Sequence, residues 1–304
     1  MSILRTPDSR FEALPDFDYD PHYTDVEDDD LGTIKIAHVE AGPRDGPDVL
    51  LLHGEPSWSF LYRKMIPPLA EAGARVLAPD LVGFGRSDKP SSTGDYSYAA
   101  HVRWMGAWFA AQDITDVTLF CQDWGGLIGL RLVADRPDDF AAVVASNTFL
   151  PVGDRKPSEA FMRWRKFSQE TPEFNAGQVI QGATVSELSP EEVAAYNAPY
   201  PDDSYKAGAR IFPVLVPISE DDPESAANRE AWKVLEKFDK PVLTLFGDSD
   251  PVTRGGEQVL RARVPGAEGQ PHRIVEHGGH FIQEDKGAEL ADEMIRLIGL
   301  ERRG

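Results

Sequence analysis

A chain of 304 residues, 41% of them apolar, suits one large domain or a core domain carrying a substantial insertion. Its 31 basic and 51 acidic side chains give a net charge of −20, which argues against nucleic acid and anionic membrane as partners. The one cysteine, Cys121, excludes an internal disulfide and a multi-cysteine metal site, and its apolar surroundings predict a packing role.

The N-terminal stretch has no apolar signal core and no later run is long enough to span a bilayer, so a cytoplasmic location is expected. Acidic residues are densest at 27–30 and 219–224, where a solvated surface is expected. In chain order, 32–42 partly alternates apolar and polar residues, as a half-exposed strand does. The short apolar runs 47–54, 75–80, 116–122, 140–148, 240–248 and 271–278 predict strands covered on both faces. Helical patterns follow at 59–73, 97–113, 125–137 and 287–300. This alternation predicts an α/β fold with a mostly parallel, doubly wound sheet. It breaks at 151–219, which is rich in Pro, aromatic and polar residues. That segment is expected to be a helical cap over the C-terminal edge of the sheet, inserted into a core of 1–150 and 220–304.

The stretch FCQDWGG, 120–126, joins a strand pattern to a helix pattern. A sharp strand–turn–helix with a central nucleophile is a nucleophile elbow, usually written G-x-S-x-G. Here Cys121 replaces the first glycine, Asp123 stands at the nucleophile position, and Gly125 and Gly126 supply small residues on the helix side. The competing reading is that Asp123 only caps the helix. Elbow hydrolases keep the order nucleophile, acid, histidine. FGDSDP, 246–251, then offers Asp250 as the acid, with Asp248 as a turn residue. HGGHF, 277–281, offers His280 as the base, with His277 still inside the strand pattern. The loop LLHGEPSW, 51–58, is placed to give one oxyanion-hole N–H, from Glu55, and the residue after the nucleophile, Trp124, gives the other.

These stretches resemble the haloalkane dehalogenases of the α/β-hydrolase fold. The matching segments are 53–90, QDWGGLIGL at 122–130, 195–213 and GGHFIQED at 278–285, so the similarity spans nearly the whole chain. It is closest to the subgroup whose acid follows the late strand, here Asp250; Asn147 stands near the alternative position. The resemblance implies hydrolysis of a carbon–halogen bond without a cofactor or metal, with a small haloalkane and water as substrates and halide as a product. It also implies that Trp124 and Trp164 grip the halide. Phe149, Phe161 and Phe174 are read by default as apolar packing, with pocket lining as their alternative role, and Trp58, Trp104, Trp108 and Trp232 are expected to pack structurally. A monomer is the expected state. The strongest rival is an epoxide hydrolase, which needs cap tyrosines to protonate the epoxide oxygen; Tyr196, Tyr200 and Tyr205 are available. A fluoroacetate-type dehalogenase, with arginine after the nucleophile, a serine esterase and a non-catalytic binding protein fit the elbow less well.

Overall fold

The computed structural model describes residues 2–301. The strands are β1 (Ile3–Leu4), β2 (His22–Asp28), β3 (Gly32–Ala41), β4 (Asp48–Leu52), β5 (Arg75–Pro79), β6 (Lys89–Pro90), β7 (Val117–Gln122), β8 (Phe140–Ser146), β9 (Val242–Gly247) and β10 (Arg273–Val275). The helices are α1 (Ile66–Ala72), α2 (Tyr98–Ala111), α3 (Trp124–Asp135), α4 (Glu159–Glu170), α5 (Ala176–Gly182), α6 (Pro190–Asn197), α7 (Ala207–Leu215), α8 (Pro223–Leu235), α9 (Gly256–Arg263) and α10 (Ile282–Leu297).

Eight strands form one sheet in the order β10-β9-β8-β7-β4-β5-β3-β2, while β1 pairs only with β6. From β5 across to β10 every pairing is parallel; β2 and β3 add an antiparallel edge. The central strands are runs of Val, Leu and Phe whose residues are buried on both faces, because helices cover both. Two helix layers flank the sheet: α1 packs with α10, and α3 packs with α2 and α8. Local chemistry sets the helix starts. The hydroxyl of Ser97 accepts the Ala100 N–H at the start of α2, and Ser189 with Glu192 makes a full capping box on α6.

Helices α4 to α7 fall between β8 and β9. There α4 packs against α7 and α5 against α6, whereas α8 packs on α3. Among the described residues no helix is long and apolar enough to cross a membrane.

The structure departs from the sequence reading in several places. The helix expected at 59–73 divides into a 3-10 turn, Ser59–Tyr62, and α1, because Pro67 and Pro68 lack the N–H that a helix interior needs. The last strand is only Arg273–Val275: His277 has a φ of +58° and turns the chain out of the sheet, leaving its side chain exposed. The final helix starts at Ile282 and kinks at Lys286. Strand β2 and helices α8 and α9 have no counterpart in the expected elements. The acidic run at 27–30 is not wholly solvated, since the Asp28 carboxylate accepts the Trp104 indole N–H at 2.8 Å.

Candidate active site

The C-terminal ends of β4, β7, β8, β9 and β10 lie side by side, and the loops that leave them build the site. The elbow follows β7. Asp123 has φ +52° and ψ −125°, a backbone conformation costing about 1–3 kcal/mol that surrounding bonds must hold. The Asp123 N–H donates to Asn147 O at 3.0 Å, and the Thr148 hydroxyl donates to Asp123 O at 2.8 Å. The turn also demands close packing: a Cβ on Gly125 would lie 1.9 Å from Leu52 O. Cys121, in place of the usual first glycine, is fully buried, and burial pushes its thiol up to about 12.

Asp123 makes no side-chain cap bond to α3, so the capping alternative fails. Its Oδ1 instead accepts the Glu55 N–H at 2.8 Å, and its Oδ2 lies 3.5 Å from His280 Nε2. The other face of the imidazole, Nδ1, is 3.1 Å from Asp250 Oδ2. Asp250 is buried, and it also accepts the Val252 N–H at 2.8 Å and the Thr253 hydroxyl. Asp248, by contrast, is exposed. Trp124 occupies the first turn of α3, where main-chain N–H groups have no partner within the helix.

Burial would push the His280 imidazole down, but the Asp250 and Asp123 carboxylates outweigh it and raise it to about 10. Burial would push Asp250 up, but the facing His280 charge and the hydrogen bonds from His280, Thr253 and Val252 bring it below the usual range. The stability that follows is bounded on both sides. The His280 contribution is complete below about pH 6.5 and is lost as pH rises through about 10. The Asp250 contribution is complete above about 3.8 and is lost as pH falls through its lower folded value. The melting temperature of the wild-type chain is therefore expected to fall more steeply between pH 7 and 10 than that of a His280→Phe variant. Parallel melting curves in thermal scans would contradict this coupling.

The site closes a cavity of about 320 Å³. Asp123, His280, Glu55, Trp124 and Trp164 line it together with Leu127, Phe149, Phe161, Val216, Val252 and other apolar groups. Phe174, a pocket candidate from the sequence, does not line it; it packs beside Trp164 with ring centroids 5.9 Å apart. The Glu55 side chain is buried with Oε1 unpartnered. Burial first, then the Asp123 charge, push its carboxyl well above the ordinary range, with Trp164 and the His280 charge pulling the other way.

Two further residues hold these loops together. Asn147 donates from Nδ2 to Gly279 O at 2.7 Å and His280 O at 3.0 Å, and accepts the Gly247 N–H at Oδ1 at 2.9 Å. It thereby ties the elbow, β9 and the histidine loop. Gln122 donates to His280 O at 3.0 Å. Nothing local in the sequence marks either role, because their partners lie far along the chain. Tyr196, Tyr200 and Tyr205 do not line the cavity. Tyr196 is buried and bonded to Glu284. Tyr200 is buried with its hydroxyl unpartnered.

Residues 47–287 match the α/β-hydrolase fold family model. A haloalkane dehalogenase of Psychrobacter cryohalolentis is 56% identical over 298 residues, covering 98% of each chain. The chain belongs to the haloalkane dehalogenases of the α/β-hydrolase fold. A second haloalkane dehalogenase, from Mycolicibacterium paratuberculosis, is 50% identical over 97% of this chain and 98% of its own. Among solved structures, haloalkane dehalogenase DpaA from Paraglaciecola agarilytica NO2, described as a tetramer, superposes with a TM-score of 0.89. It is 33% identical over 96% of this dehalogenase and 97% of its own chain.

Proposed function

We propose that this dehalogenase works through an alkyl ester on Asp123. The observation that carries the reading is the placement of His280 between Asp250 and Asp123, at 3.1 and 3.5 Å, beside an apolar cavity. A saturated carbon offers no carbonyl, so an alkoxide attacking it would leave an inert ether; a carboxylate leaves an ester that water can cleave. Asp123 Oδ2, the oxygen that does not accept the Glu55 N–H, displaces halide in line. Esterification neutralises Asp123 and so removes one of the two charges that hold a proton on His280. The imidazole then loses that proton and accepts another from the water that attacks the Asp123 carbonyl carbon. The N–H groups of Glu55 and Trp124 stabilise the oxyanion, a service worth roughly 3 kcal/mol per donor in hydrolases. Asp250 orients His280 and balances its charge. The tetrahedral intermediate collapses by breaking the bond from the Asp123 carboxyl carbon to the alkyl oxygen, His280 gives its proton to the departing oxygen, and alcohol and halide leave.

The leaving halide needs hydrogen-bond donors and no proton. Indole N–H groups are donors only, on apolar rings, and suit a dry anion site. Trp124 and Trp164, which both line the cavity, are assigned that role. Replacing Trp164 with Phe is expected to weaken bromide binding about tenfold, the loss of one charge-assisted hydrogen bond. Quenching of intrinsic fluorescence by bromide reads it; unchanged affinity would remove Trp164 from the halide site.

Helices α4 to α7 are read as the cap, and the protein as a cytoplasmic monomer, which light scattering of the purified chain and cell fractionation test. An epoxide hydrolase reading lacks its acid, since the cavity has no tyrosine in its lining. Halide release from 1-bromobutane or 1,2-dibromoethane, beside a styrene oxide assay, tests the choice: turnover of the bromides alone supports dehalogenation, and turnover of the epoxide alone overturns it.

A further inference from the structure

The inference rests on the roles proposed for Asp123 and His280. The loop that carries His280 is bonded to the loop joining α5 to α6. The His280 N–H donates to Ala183 O at 2.8 Å. Asp285, in the first turn of α10, makes a second tie. Its Oδ2 accepts the Gly279 N–H at 2.7 Å, next to His280. Its Oδ1 accepts the Ser186 N–H at 2.7 Å and the Val185 N–H at 3.1 Å. The two loops touch so closely that a Cβ on Gly279 would lie 2.6 Å from Ala183 O and 3.1 Å from Asp285 Oδ2. Ala183 also lines the cavity. Immediately after Asp285, Lys286 leaves helical geometry, with φ −138° and ψ 22°, so the turn bearing Asp285 is set apart from the rest of α10.

We propose that Asp285 is a positioning residue: it locks the His280 loop to the α5–α6 loop, so that the base is aligned for ester hydrolysis only while that loop is seated. Bonds from main-chain N–H groups to a carboxylate are charge-assisted and about twice as strong as neutral ones, so one side chain can hold both loops. Displacement of halide by Asp123 needs no base. Cleavage of the ester does, and its rate depends on where Nε2 stands. A shift of about 1 Å in a reacting group costs on the order of 100-fold.

The test is rapid-quench kinetics with 1-bromobutane on wild type, Asp285→Asn, Asp285→Glu and His280→Phe. Asparagine places an N–H₂ where N–H groups must be accepted; glutamate keeps the charge and displaces it, and serves where the asparagine variant fails to fold. The expected result for Asp285→Asn is a halide burst within about twofold of wild type and a steady-state rate lower by tenfold or more. Alkyl-enzyme should accumulate, and the glutamate variant should show a smaller split of the same kind. An unchanged steady state, or burst and steady state falling together as in a merely weakened fold, overturns the inference. If His280→Phe accumulates ester and Asp285→Asn does not, the assignment of Asp285 fails and the reaction scheme stands. If neither accumulates it, the scheme itself fails.

Discussion

An Asp123→Asn enzyme is expected to release no halide above background, a loss on the order of 10⁴-fold or more, in the range found when a hydrolase nucleophile is removed. The amide oxygen is too weak a nucleophile to displace halide from saturated carbon. The fold should survive, because the elbow is held by main-chain bonds to Asn147 and by the Thr148 hydroxyl, none of which uses the Asp123 carboxylate. The substituted Oδ1 still accepts the Glu55 N–H. A halide electrode on protein of native circular dichroism reads the result. Residual turnover within about tenfold of wild type would mean that another group attacks the substrate.

The second large effect is expected from His280→Phe. Losing the general base should lower steady-state turnover by about 10²–10⁴-fold. The first turnover should persist, since halide departure requires only the carboxylate and the indole donors. The variant should therefore release one equivalent of halide per site and stop. Phenylalanine also leaves Asp250 buried without its charged partner, so a lower melting temperature accompanies the kinetic effect.

The parts of this site that follow from local chain chemistry were legible in the sequence. A strand pattern meeting a helix pattern, a carboxylate at the junction and small residues after it can be read directly from FCQDWGG, whereas the approach of Leu52 O to Gly125 cannot. Asp250 and Asp248 separate because Asp250 begins a turn whose N–H groups, at Val252 and Thr253, fold back on its carboxylate. His277 was misread because a short apolar run does not announce that its strand ends two residues earlier, in a positive-φ turn. Tyr196, Tyr200 and Tyr205 can be counted in the sequence but not aimed. Tyr196 turns to Glu284, itself paired with Arg63, and that direction depends on contacts across many residues of chain. Asn147 and Asp285 escape for the same reason: their work is to bond loops distant in sequence. Helix α8 lies just beyond the irregular stretch 151–219, and its apolar face has meaning only once α3 is beside it.

The central claim is that a carboxylate becomes an ester during turnover, and mass spectrometry of His280→Phe after mixing with 1-bromobutane tests it most directly. The account predicts a butyl adduct on the peptide containing Asp123, formed in step with the halide burst and absent from Asp123→Asn,His280→Phe. A halide burst from folded protein with Asp123 unmodified, or with the butyl group on another residue, would contradict it.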